Sequence, residues 1–176
     1  MTKRVSHKVT VARSKMVVEK PAWVAVANSV QLQDVRLIDS TSHVEPEAIK
    51  GKKSYEIERS AKVETSGESP LIMVFARFRL HAPSEEDPKK SVLDIGASFL
   101  LVYKGEDVKG FDKETLEEFA DINGLFNAWP YWREFVQNVT TRMGLPPLTV
   151  PVLRVGTLTT ERRSPQLPDA AAAQLT

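Results

Sequence analysis

Chemistry near neutral pH would fall first to the three histidines, His7, His43 and His81. They are spread over an N-terminal stretch and two separate strand-like segments, and no two stand at the i, i+4 spacing that would bring a pair onto one helix face as metal ligands. They read as surface or edge residues. The chain has no cysteine, which excludes disulfides, thiol nucleophiles and thiolate metal sites. Asp121-Ile122-Asn123-Gly124 has the start of a calcium loop but lacks the third acidic position and the closing glutamate. The adjacent acids Glu117 and Glu118 leave a helix on different faces and do not form a general acid–base pair. Asn138-Val139-Thr140 matches a glycosylation acceptor, but it lies within a helical pattern. No phosphate-binding loop, dinucleotide fingerprint or nucleophile elbow occurs. The residues therefore point to binding rather than catalysis, and the chain is read as a non-enzyme with no cofactor and no metal.

What remains is apolar and aromatic. Trp129, Tyr131 and Trp132 surround Pro130, and the chain then runs through Leu145-Pro146-Pro147-Leu148-Thr149-Val150-Pro151-Val152. Prolines 146, 147 and 151 remove donors, so this stretch cannot pair as a central strand. It reads as a stiff crossover offering Leu148, Val150 and Val152 as an apolar strip. Pro130 is expected in the first turn or at a kink of a long helix, where its missing N–H is tolerable.

The elements that must position these groups follow from periodicity. Residues 33–45 read as an opening strand. Over 54–65, Tyr55, Ile57, Ala61 and Val63 alternate with Glu56, Glu58, Lys62 and Glu64, Arg59 being the one charge on the apolar side. Residues 71–82 are at first apolar on both faces, as in a central strand or one that meets another chain. Over 91–103, Leu93, Ile95, Ala97, Phe99, Leu101 and Tyr103 share a face. Turn-rich separators favour antiparallel neighbours, and four strands in succession are expected to form a meander. Residues 21–33 fit either a short helix begun by Pro21 or the approach to the first strand.

The cover for the apolar face comes next. Asp112 is placed to cap a helix, with Phe111 and Leu116 at the spacing of a hydrophobic staple. Ile122-Asn123-Gly124 loosens that helix. Leu125, Trp129, Trp132, Val136, Val139 and Met143 then form one stripe at three- and four-residue steps, closed by Gly144 with Pro146 beyond. The fold class is α+β, a four-stranded antiparallel sheet with C-terminal helices on one face.

At 176 residues, 41% apolar, 27% charged and a net charge of +1, the chain fits one globular domain with no global pull toward nucleic acid or membrane. Residues 1–28 are expected to be a basic, partly disordered arm, 29–155 the folded domain and 156–176 a disordered tail. The first twenty residues hold six Lys/Arg against Glu19 alone, which leaves nucleic-acid binding by the arm as a minor reading. Ala25-Val26-Ala27 mimics a cleavage site, but Arg13, Lys15, Glu19 and Lys20 interrupt any signal-peptide core. No apolar run has the roughly 18–20 residues that span a bilayer. A cytoplasmic location is expected.

Taken with the four strands, residues 129–152 give the chain a specific likeness. Trp129-Pro130-Tyr131-Trp132-Arg133-Glu134 resembles the aromatic-Pro-Tyr-x-Arg-Glu segment of the SecB family of export chaperones, and 145–152 resembles that family's proline-rich crossover. Gly96-Ala97-Ser98-Phe99 is similar to the family's small-small-x-Phe stretch. The likeness covers roughly 30–155. It implies a dimer of dimers that binds unfolded, extended or nascent polypeptide in apolar grooves without ATP. By position the resemblance assigns Tyr55, Ile57, Leu93, Phe99, Leu148, Val150 and Val152 to the groove. Trp129, Tyr131, Trp132, Val136 and Val139 fall on the helix of core and oligomer contacts.

Two departures bear on the partner. Family members that pass cargo to the export ATPase carry acids on the outer sheet face; two of those positions fall on Thr41 and Val92, and only Glu45 keeps its acid. The family's C-terminal helix should follow Val155, where this chain has no apolar stripe and two prolines, and its acidic tail is missing. The departures favour a dedicated client, such as the antitoxin protected by SecB-like chaperones encoded with a toxin–antitoxin pair, over general export. A non-catalytic oligomeric adaptor that holds one folded partner is the alternative.

Overall fold

The computed structural model describes residues 20–49, 54–65, 70–84, 87, 89–106, 108–156 and 158. Helix α1 (Trp23–Ser29) leads straight into strand β1 (Val30–Val44), so both expectations for residues 21–33 hold in part: helix first, strand from Val30. Val26 is fully buried in the core, and ordered structure begins ahead of residue 29 because Trp23 and Val26 have apolar surface to bury. A 3-10 turn (Pro46–Ile49) precedes β2 (Glu56–Thr65), β3 (Leu71–Pro83) and β4 (Ser91–Gly105).

The sheet is antiparallel throughout, with spatial order β1-β4-β3-β2. The expected meander holds for β2 to β4 and fails for β1. The segment after Val44 carries the chain to the far edge, and β4 returns beside β1 in a Greek-key order. β3 and β4 are the central strands, which accounts for the two-sided apolar character of β3. Register puts Ile57, Arg59, Ala61 and Val63 of β2 opposite Leu80, Phe78, Ala76 and Val74 of β3. Those face Ile95, Ala97, Phe99 and Leu101 of β4 in turn. This is the covered face, and every β3 and β4 member of it is buried.

The cover is one helical run. Asp112 caps α2 (Lys113–Phe119), accepting from Thr115 N at 2.8 Å and from Thr115 Oγ1 at 2.9 Å. These bonds to the carboxylate hold the Asp112 pKa below its ordinary value. The expected loosening at 122–124 is a π-turn (Ala120–Gly124), after which α3 (Leu125–Arg142) continues. Pro130 is the sixth residue of α3, past the first turn. Its ring leaves the Phe126 carbonyl without the usual donor. α3 ends in a Schellman motif: Gly144 has φ +77°, its N–H donates to Thr141 O at 3.1 Å, and Leu145 N–H donates to Thr140 O at 3.0 Å.

Trp132 is fully buried and stacks on Phe78 at 5.6 Å, while Trp129 meets the same ring edge-on at 5.5 Å. Val136 is fully buried and Val139 half-buried against the same core. Beyond the crossover, Val155, Gly156 and Leu158 are helical and Leu158 is buried; the rest of the expected C-terminal tail, like the basic arm up to Glu19 with His7, lies outside the described residues.

Candidate functional site

The binding surface expected from the sequence combines the crossover with α3 and the covered sheet face. The crossover, residues 145–154, forms neither helix nor strand and lies along α3, gripped by that helix's side chains. Leu148 N–H donates to Thr140 Oγ1 at 3.1 Å, and the same hydroxyl donates to Val136 O at 2.9 Å. Arg133 Nε donates to Val150 O at 2.7 Å, and Trp129 Nε1 to Pro151 O at 2.8 Å. Residues 129, 133 and 140 share one helix flank, so the crossover runs antiparallel to α3. None of these polar contacts was legible from hydropathy, which ranks Trp129 and Trp132 alike.

The grip sorts the three crossover residues. Val150 is fully buried, Leu148 half-buried and Val152 69% exposed. The expected continuous strip of Leu148, Val150 and Val152 is therefore not what this chain presents: Val150 points inward. Of the sheet positions, Tyr55 and Ile57 are half-buried, whereas Leu93 and Phe99 are buried at 7% and 4% exposure. Phe99 lies under Tyr131, ring centroids 6.5 Å apart. Tyr131 is 45% exposed, so it is the member of the aromatic cluster that the core leaves open.

Tyr131 leaves α3 on the flank opposite the crossover, toward β4 and β1. There Leu37, 48% exposed, is the register partner of Phe99, and Leu32 that of Tyr103. Ile38, at the irregularity between Leu37 and Asp39 in the β1–β4 pairing, is equally exposed. With Phe126 and Val152 these make up the large exposed apolar side chains among the described residues. Sequence reading missed Leu32, Leu37 and Ile38; the signal was a strand with apolar residues on both faces that turns out to be an edge. Beneath this flank, Asn127 Nδ2 donates to Tyr103 Oη at 3.1 Å and to Asn123 Oδ1 at 2.8 Å. Burial pushes the Tyr103 pKa up to about 12, the Asn127 bond opposing it.

On the outer sheet face, Thr41 is exposed and uncharged and its Oγ1 lies over Gly96, where a Cβ would come within 2.8 Å. Val92 is 2% exposed, its carbonyl bonded by Glu45 N–H at 2.8 Å. Glu45 itself pairs with His43 at 2.8 Å. His81 faces Glu56 at 3.5 Å. No group of His, Asp or Glu able to hold a metal ion occurs among the described residues, and none of their helices is long and apolar enough to cross a membrane.

This four-stranded antiparallel sheet, one face covered by a long helix, matches the fold of a solved SecB-like chaperone. In fold and in sequence the chain is similar to SecB-like chaperones. A solved structure described as the Mycobacterium tuberculosis Rv1957 SecB-like chaperone in complex with a ChAD peptide from the Rv1956 HigA1 antitoxin matches with a TM-score of 0.66 at 23% identity, over 77% of this chain and 98% of that one. In sequence, the SecB-like chaperone Rv1957 of that organism is 26% identical over 145 residues, covering 73% of this chain and 80% of the relative. The SecB-like chaperone named MT2006 in a second strain gives the same values. No protein-family model matches.

Proposed function

We propose that this protein is a SecB-like molecular chaperone that binds unfolded or extended polypeptide on apolar surface, without a nucleotide, and that it serves a dedicated client of the antitoxin kind. The observation that carries this reading is the match, over most of both chains, to a SecB-like chaperone whose solved structure holds an antitoxin peptide. Exposed Val152 and half-buried Leu148, Tyr55 and Ile57, backed by Leu93 and Val150, form the proposed groove, while Phe99 lies under Tyr131 on the other flank of α3. Apolar and aromatic walls give affinity in proportion to area and without direction, which suits clients of varied sequence. The protein acts as a homo-oligomer, a dimer of dimers, using the exposed apolar flank of β1 and Tyr131.

Coupling to an export ATPase is not part of the proposal. Of the three outer-face positions that would carry acids, one is a threonine, one a buried valine and one a glutamate paired to His43. A cytoplasmic site of action fits a nucleotide-free holdase. The test has two arms. Purified protein at stoichiometric excess should suppress aggregation of an unfolded model protein with no nucleotide present; unchanged aggregation sinks the chaperone reading. Pull-down should recover an antitoxin encoded next to this gene and not the export ATPase; the reverse outcome returns the protein to general export.

A further inference from the structure

The crossover orients its valines in opposite ways. A proline-rich stretch outside a sheet winds with about three residues per turn, so positions two apart do not share a face. Val150 is fully buried and Val152 is the most exposed large apolar residue described. The adjacent carbonyls of Val150 and Pro151 both accept from α3, from Arg133 Nε and Trp129 Nε1. The rotation of the segment about its own axis decides which valine faces out, and two donors on one helix flank fix that rotation. Prolines 146, 147 and 151 take N–H groups from this segment; Leu148 N–H provides one hold through Thr140 Oγ1, and around Pro151 the hold comes through carbonyls, which is where these donors act.

We infer that Arg133 and Trp129 are positioning residues for client binding: by gripping the Val150 and Pro151 carbonyls they keep Val150 inside and turn Val152 out toward the client. Phe126, three residues before Trp129 and seven before Arg133, leaves α3 on the same flank and is 42% exposed. The apolar surface beside the crossover is thus set by a polar clamp on α3. What the clamp serves rests on the chaperone reading, but where it holds the crossover does not.

The cysteine-free chain makes the test direct. Single-cysteine variants V150C and V152C report which valine position faces solvent through the rate of thiol labelling, which tracks the open population when opening is fast. In the parent, position 152 labels rapidly and position 150 slowly. Arg133→Met keeps the aliphatic stem and loses the donor; it should speed labelling at 150 by about tenfold or more, and Arg133→Lys, which retains a donor, should restore protection. Trp129→Phe, which loses only the indole N–H and part of the ring, should act in the same direction. Dissociation constants for an unfolded client peptide, read by fluorescence anisotropy on the cysteine-free forms, should rise about fivefold or more in Arg133→Met and recover in Arg133→Lys.

Unchanged labelling at position 150 in both Arg133→Met and Trp129→Phe overturns the clamp. Faster labelling with unchanged client affinity overturns its role in binding. If the parent binds no unfolded chain, the chaperone reading and the client arm fall together, while labelling alone still decides whether the clamp holds the crossover. Far-UV circular dichroism separates each of these from simple unfolding.

Discussion

At the scale of single residues, burial rather than residue type separates groups that look alike in sequence. Tyr103 and Tyr131 are both aromatic hydroxyls near the helix; one is 2% exposed and bonded to Asn127, the other lies open over Phe99. Burial raises the Tyr103 pKa to about 12 from 10.0. In the unfolded chain the phenol ionises near pH 10, so the unfolded state loses a proton that the folded state keeps. The stabilisation is complete below pH 10 and is lost as pH rises from there toward 12. The loss is on the order of 2–3 kcal/mol across that window. Tyr103→Phe should flatten this part of the stability profile, measured as urea midpoints at pH 9 to 11.5; an equal slope in the variant assigns the effect elsewhere. Trp129 and Trp132 differ in the same way. Trp132 is wholly enclosed and its indole N–H has no partner, so its value lies in stacking and area. Trp132→Ala should cost about 3–5 kcal/mol in denaturant unfolding.

At the scale of elements, strands and helices were legible because a half-buried surface imposes its period on the sequence. The alternation over 91–103 and the stripe from Leu125 to Val136 mark the buried positions of β4 and α3. The cap at Asp112 and the stop at Gly144 were legible too, since both follow from local chemistry. The π-turn was legible only as a loosening, because a tertiary contact fixes it. A Cβ on Gly124 would meet Val74 Cγ1 at 2.6 Å, so this turn brings helix backbone directly onto β3. Gly124→Ala should destabilise by about 1–3 kcal/mol despite the better helix propensity of alanine. Val74→Ala in the same chain should recover part of that loss; a purely additive double-mutant cycle would place the strain elsewhere. The crossover was legible as a non-strand from its prolines. Which of its valines faces outward was not, because donors on α3, 17 and 22 residues earlier, hold its carbonyls.

At the scale of the whole molecule, the class was legible from residues 129–152, and the strand order was not. Turn-like residues between Val44 and Glu56 read as a hairpin connection, but they carry the chain across the sheet to its far edge, and only pairing with β4 places β1. That placement puts β1 at an edge of the sheet. β1 is a 15-residue edge strand with Leu37 and Ile38 each 48% exposed, and long apolar edges are usually covered by another chain. The two side chains also offer a way to find the covering face. Leu37 pairs with Phe99 on the helix-covered side, beneath Tyr131, whereas Ile38 lines a shallow depression on the outer face with Phe75 and Arg77. If the oligomer closes over the flank of Tyr131, Leu37→Asp should raise the subunit dissociation constant by about tenfold or more, since it buries an unpaired charge. Ile38→Asp should leave it nearly unchanged. Light scattering across a dilution series reads both, with circular dichroism as the control for folding. A parent that is monomeric at every concentration removes the oligomer from the proposal, and a shift confined to Ile38→Asp moves the interface to the outer face.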